Sequence, residues 1–380
     1  MRIVQYGDSH TAADFGTGAF RRTLQARFGD GGRGFVSLGQ PWKGYRQEGI
    51  DGGMSREFAP VRVTYHHGTI VGAGGAYGLL GIGIGTEKAA ARAWTSVRSP
   101  TTRIELATWM QPRGGSFDVF IDGVRQDRVS TRGDPGGSRF LTFDVTDGPH
   151  DVEVRTLGDG DVRVFGMSLD RTETGVVVDA LGINGAQIGT PLHWGEEHFA
   201  EQLRHRAPAL VVLAYGTNES LEATLDDEEF ERRLVEVLGR VARAVPAASC
   251  LILGPPDRGQ RVGTEDGGRS KADGLWESAP RISEIADLER RVADAAGCAF
   301  YDEIAAMGGA GTIVQWATEV EPRAASDRVH LTRSGYVELG RAFAQDVLDA
   351  YEAWRQREGL GPPKHLEAAG VGSLGSGLRP

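Results

Sequence analysis

Five short runs of almost unbroken apolar residues punctuate the chain: Ile3–Tyr6, Val176–Leu181, Leu210–Tyr215, Cys250–Leu253 and Cys298–Tyr301. Continuous Val/Ile/Leu runs suit parallel strands buried on both faces, whereas a half-solvated strand alternates. Between the later runs the apolar positions recur at helical spacing, over Glu228–Val245 and Ile282–Ala296. A last helical pattern covers Ser334–Arg357, with Thr332 available as its N-cap. Strands alternating with helices predict an α/β fold: a doubly wound, flavodoxin-like sheet of five parallel strands, whose sites lie at the carboxyl ends of the strands.

The middle of the chain has another texture. Phe117–Ile121 alternates and turns at Asp122-Gly123; Phe140–Val145 alternates and turns at Asp147-Gly148-Pro149; His150–Thr156 and Val162–Leu169 flank Gly158-Asp159-Gly160. Short alternating strands with regular turn signals predict an inserted β-sandwich of jelly-roll type. The expected division is an α/β part over 1–57, the insert over 58–172, the second α/β part over 173–358, and a disordered tail over 359–380 rich in Gly and Pro.

Composition narrows the function classes. At 380 residues with 40% hydrophobic and 25% charged positions, the chain has the make-up of a globular protein with room for two cores. A net charge of −10 argues against a nucleic-acid partner, which demands a basic footprint. No stretch reaches the ~18 apolar residues of a membrane span. The first strand begins at Arg2, which leaves no room for a signal peptide ahead of it. Cys250 and Cys298 are the only cysteines and each opens an apolar run, so they read as two buried thiols at strand starts. Two cysteines make neither a disulfide framework nor a zinc-ligand spacing.

Four polar blocks fall where a strand ends or a helix begins: Gly7-Asp8-Ser9, Gly182-Ile183-Asn184-Gly185, Gly216-Thr217-Asn218-Glu219 and Asp327-Arg328-Val329-His330. A serine hydroxyl becomes a nucleophile only when a base takes its proton. His330 is the candidate base, and Asp327 would hold its imidazole in the required tautomer. Asp8 reads as a turn residue whose carboxylate accepts loop N–H groups. Glu219 reads either as a substrate contact or as a solvated loop residue. His66, His67, His193 and His198, with Glu196 and Glu197, match no metal-ligand spacing and read as surface residues. The glycines at Gly81, Gly83 and Gly85 lack phosphate-loop spacing. Pro41-Trp42 and Tyr45 are candidates either for the mouth of a site or for loop anchors.

The four blocks, in this order, resemble those of the SGNH/GDSL hydrolase superfamily, over about two-thirds of the chain. The resemblance implies a serine esterase with Ser9, Asp327 and His330 as its triad and no cofactor or metal. It also implies an oxyanion hole from the backbone N–H groups of Ser9 and Gly185 and the side-chain amide of Asn218. Gly182 is the alternative to Gly185, with a turn as its other role. The insert is similar to carbohydrate-binding modules, and the combination resembles bacterial peptidoglycan O-acetylesterases and related carbohydrate esterases. The partner so implied is an acetylated glycan, with Tyr65, Tyr77, Trp94 and Trp109 as candidate stacking platforms. A periplasmic or secreted location goes with that resemblance, against the lack of a signal peptide. Lipase, thioesterase or O-acetyltransferase chemistry on the same residues, or glycan binding alone, are the alternatives.

Overall fold

The computed structural model describes residues 1–63, 73–222, 224–262 and 275–360. Tyr65, His66, His67 and the tail from residue 361 lie outside them. The fold is mixed α/β with a parallel sheet of five strands. These are β1 (Arg2–Gly7), β11 (Val177–Gly182), β12 (Leu210–Ala214), β13 (Ser249–Leu253) and β16 (Ala299–Tyr301), in the order β11-β1-β12-β13-β16. All five run parallel.

Alternate residues of these strands face two different layers, as the pleat requires. Val4, Tyr6, Val211, Leu213 and Ile252 pack against α3 (Glu196–Arg206), α4 (Asp227–Ala244) and α5 (Pro280–Ala296). Ile3, Val178, Val212 and Leu251 face α2 (Phe15–Phe28) and α8 (Arg333–Arg357), where Phe20 stacks on Phe343 at 4.6 Å. Both faces are therefore covered, which explains the unbroken apolar runs. On α4 the buried positions Phe230, Leu234, Val237, Leu238 and Val241 form one stripe at helical spacing. Thr332 caps α8 by accepting the Gly335 N–H.

Between β1 and β11 the described residues build a nine-stranded sheet whose pairings are all antiparallel. Its members are β2 (Gly32–Val36), β3 (Ile50–Met54), β4 (Ala59–Arg62), β5 (Ile82–Thr86), β6 (Arg92–Met110), β7 (Ser116–Ile121), β8 (Val124–Ser130), β9 (Gly137–Thr156) and β10 (Val162–Asp170). The long strands β6 and β9 pair with each other through two register shifts, between Val97 and Arg103. A single apolar cluster draws on β5, β6, β7, β9 and β10. The expected boundary at residue 58 is corrected here. β2 and β3 lie before it yet pair with β10 and β6, and the glycine-rich IDGGM of β3 hid its strand character.

The two sheets are not separate cores. Phe35, Leu79 and Ile82 of the antiparallel part share one apolar cluster with Tyr6 and Leu213 of the parallel sheet. Trp194 bridges them: its indole N–H donates to Gly78 O at 3.0 Å and its ring meets Tyr6 and Tyr77 edge-on. Tyr77 is thus a core residue and not a sugar platform. Trp109 packs against His198 and Phe165, while Trp94 stays 42% exposed. His198 is corrected from surface to interior: it is buried, and its Nε2 accepts the Gly78 N–H at 2.8 Å.

The cysteines are corrected as well. Cys250 and Cys298 form a disulfide with a Cα–Cα distance of 4.9 Å. Neighbouring strands bring them together, since the register Leu251↔Ala299 sets the preceding residues side by side. Strand adjacency is a property of topology, so each cysteine taken in its own run looked like a buried thiol.

Candidate active site

The site sits at the carboxyl ends of β1, β11 and β12, joined there by the loop that leads into α8. Gly7 ends β1 and lets the chain turn tightly, because a Cβ there would come 2.2 Å from Thr11 Oγ1. Asp8 then caps the one-turn helix α1 (Ser9–Ala12), its Oδ1 accepting the His10 N–H at 2.8 Å. Ser9 opens that turn, so its own N–H has no carbonyl to bond within the helix.

The Ser9 hydroxyl donates toward His330 Nε2 at 3.0 Å, across 321 residues of chain. On the other side of the ring, Nδ1 lies 2.8 Å from Asp327 Oδ2. Asp327 is itself fixed: its Oδ1 accepts the N–H groups of Val329 and His330, both at 3.0 Å. Burial would raise the Asp327 carboxyl, but the His330 ring and these two N–H groups hold it below the usual carboxylate range. Ser9, His330 and Asp327 thus form one hydrogen-bonded line, the geometry that a nucleophile, a base and an orienting carboxylate require. With Nδ1–H donated to a carboxylate, Nε2 is the lone pair that faces the serine.

The remaining predicted residues close in from two loops. Gly185, after β11, has φ +77° and open space where a Cβ would stand. Gly182 is different, since a Cβ there would lie 2.0 Å from Ala12 N. It is a close-packing glycine between β11 and α1. Asn218, after β12, donates from its amide to Ala186 O at 2.8 Å and makes a long contact of 3.5 Å with Asp8 Oδ2. That bond fixes the plane of the carboxamide beside the loop that carries Gly185.

Beneath this surface lie His10, which sequence reasoning missed, and two acids, Asp8 and Glu219, whose burial it did not foresee. His10 Nδ1 is 2.9 Å from the Tyr336 hydroxyl, and its ring lies 5.5 Å from that of His330. Burial and the neighbouring His330 push the His10 imidazole down to about 3, so it stays neutral and does not add a second cation beside the base. Asp8 is buried, and burial above all raises its carboxyl to about 8. Glu219, expected as a substrate contact or a solvated loop residue, is instead fully buried, and burial raises it to about 7. The only signal for Glu219 was its place directly after Asn218. The burial of His10 had no local signal at all. Trp42 and Tyr45 act as a loop anchor, with rings 4.8 Å apart and the Tyr45 hydroxyl accepting the Ser37 N–H at 2.8 Å.

The GDSL-like lipase/acylhydrolase family model matches residues 145–337, about half of the chain. That span holds Gly185, Asn218, Asp327 and His330, while Ser9 stands before it because the antiparallel sheet intervenes. The chain is similar to a solved peptidoglycan O-acetylesterase, with a TM-score of 0.74 and 24% identity over 93% of this chain and 92% of the other. A family two carbohydrate esterase from Clostridium thermocellum, solved with cellohexaose, aligns with a TM-score of 0.30 and 10% identity, over 71% of this chain and 95% of that one. A search of curated protein sequences finds no match.

Proposed function

The chain belongs to the GDSL-like lipase/acylhydrolase family and is an esterase, and we propose that it removes O-acetyl groups from a polysaccharide, peptidoglycan or a similar glycan, through a serine-bound acetyl intermediate. The observation that carries the reading is the line from Ser9 through His330 to Asp327, with separations of 3.0 and 2.8 Å. In it Ser9 Oγ attacks the acetyl carbonyl as His330 Nε2 takes the hydroxyl proton, and Asp327 steadies the imidazolium that results. The negative oxygen that develops is met by the N–H groups of Ser9 and Gly185 and by the Asn218 amide. His330 then returns its proton to the departing sugar oxygen. In the second half, water gives a proton to His330 and its oxygen attacks the acyl carbon, releasing acetate and restoring Ser9.

The glycan half of the reading has its own support. Similarity to the peptidoglycan O-acetylesterase runs through 93% of the chain, the antiparallel sheet included. Among the described residues, Trp94, exposed on β6, is the candidate open to stacking on a sugar face. The disulfide suits an oxidising compartment, where such bonds persist and where cell-wall glycan is reached.

The test is acetate release from O-acetylated peptidoglycan set beside acetylated xylan and an aryl acetate. Ser9→Ala should lower turnover by ~10⁴-fold or more on every substrate accepted by the native chain. Full aryl acetate turnover by Ser9→Ala would refute the serine mechanism. Acetyl transfer to an added sugar in place of acetate release would make the chain a transferase.

A further inference from the structure

The two loops that carry Gly185 and Asn218 are not neighbours in the sheet. They leave β11 and β12, and β1 lies between those strands. No ladder of strand hydrogen bonds therefore sets the distance between them. Side chains span the gap instead, and one of them grips backbone on both sides. Glu219 Oε1 accepts the N–H of Ile188 at 2.5 Å, and its Oε2 accepts the N–H of Gly216 at 3.0 Å. Ile188 stands three residues beyond Gly185, and Gly216 two residues before Asn218. Two further ties are the bonds from the Asn218 amide to Ala186 O and from the Gln187 amide to Glu222 Oε2 at 2.9 Å, neither of which holds backbone of both loops.

We propose that Glu219 is a positioning residue of the oxyanion hole: a buried two-oxygen clamp that fixes the loop of Gly185 against the loop of Asn218. The proposal rests on the ester chemistry above and adds the group that fixes where its oxyanion donors stand. Its physical case is one of matching. Two N–H donors converge from different loops on one point, and a carboxylate offers an acceptor to each. Glutamine would offer one oxygen and turn an NH₂ donor toward the other N–H. Aspartate, one methylene shorter, would not span both loops. A clamp of this kind is worth its burial because donors to a developing oxyanion act only when they are already in place, and a displacement of about 1 Å costs on the order of 10²-fold in rate. Gly216, with φ +107° and its would-be Cβ 2.9 Å from Pro255, can reach the clamp only as glycine.

The experiment compares the full chain with Glu219→Gln and Glu219→Asp. Aryl acetate kinetics are expressed per active site, with the sites counted by complete reaction of Ser9 with a fluorophosphonate. The expected result is a fall in kcat of ~10²-fold in each variant, with KM within about twofold and every folded molecule still titrating. A merely structural role would lower the melting temperature or the number of titratable sites and leave kcat per site unchanged. That outcome, with kcat per site within threefold of the native value in both variants, overturns the proposal. Hydrogen exchange on the native chain supplies a readout that needs no variant. The amides of Ile188 and Gly216 should exchange slowly, and exchange of either at the rate of an exposed loop overturns the clamp. A native chain that turns over aryl acetate but leaves glycan untouched would remove the glycan reading and leave the clamp standing.

Discussion

Two clusters of buried carboxyl groups serve the same parallel sheet and are handled in opposite ways. Away from the site, Asp179 of β11 and Asp170 of β10 share one guanidinium. Arg206, at the end of α3, makes four hydrogen bonds of 2.6–2.9 Å to the two side chains. Beneath Ser9, by contrast, Asp8, Glu219 and Glu289 are all buried; backbone N–H groups are the partners of Glu219, and Asp8 adds only the long contact from the Asn218 amide to its own backbone partner. Burial would raise Asp170, but Arg206 overrules it and holds the carboxyl below the ordinary range. Burial raises Asp8 to about 8 and Glu219 to about 7, and lifts Glu289 well above the usual value. The difference teaches what each region is for. A compensated cluster is a joint: Asp179 Oδ1 also accepts the Phe35 N–H at 2.6 Å, so one arginine locks β11, α3 and both sheets together. The uncompensated cluster is tolerated where carboxyl groups are needed as acceptors for loops that must stand still.

The sharpest break falls on the one acidic residue of the site that faces outward. Asp327→Asn should keep the fold and cut turnover by about 10⁴-fold, because the amide no longer enforces the His330 tautomer. Steady-state kinetics on an aryl acetate would check it. Next in size, Arg206→Leu leaves buried Asp179 without its cation and Asp170 with Arg2 alone, 3.3 Å away, and should cost about 3–5 kcal/mol of stability in denaturant titration. A loss under 1 kcal/mol would mean that the joint contributes little. Removing the disulfide with Cys250→Ala and Cys298→Ala should cost about 2–4 kcal/mol by the same assay. Activity at low temperature should be unchanged, since the bond lies at the amino ends of β13 and β16 and the chemistry at the opposite end of the sheet.

The smallest effect is a slope. A carboxyl raised on folding contributes stability that is complete below its unfolded value and is lost as pH climbs through its folded one. For Asp8 that window runs from the ordinary 3.8 up to about 8. Asp170 has the opposite sign, and its contribution is lost as pH falls below 3.8. Asp8→Asn should therefore relax the decline of stability between pH 5 and 8 by about 1 kcal/mol per pH unit. Melting curves across that range, run beside the native chain, would show it. An unaltered slope would mean that Asp8 is not held neutral.

Much of the fold was legible because it is written locally. The run Ile3–Tyr6 reads as a buried parallel strand since both of its faces are apolar, and α4 reads as a helix from its stripe at Phe230, Leu234, Val237 and Val241. β3 escaped because Gly52 and Gly53 give a strand no side-chain pattern, although its backbone fills the edge beside β6. The hairpin of β14 (Gly259–Val262) and β15 (Leu275–Ser278) escaped because each strand is only four residues long.

The order of residues along the chain by itself determined the chemistry available: a serine, a carboxamide and glycines just past apolar runs, and an aspartate and a histidine just before the last helical pattern. Hydrophobic period and turn chemistry are local quantities, and they place each block where an element ends or begins. Only the tertiary structure decided which acids are buried, that Cys250 meets Cys298, and that Glu219 grips Ile188 and Gly216. Burial and partnership depend on which strands lie side by side, and that is a property of the folded sheet, not of any one segment.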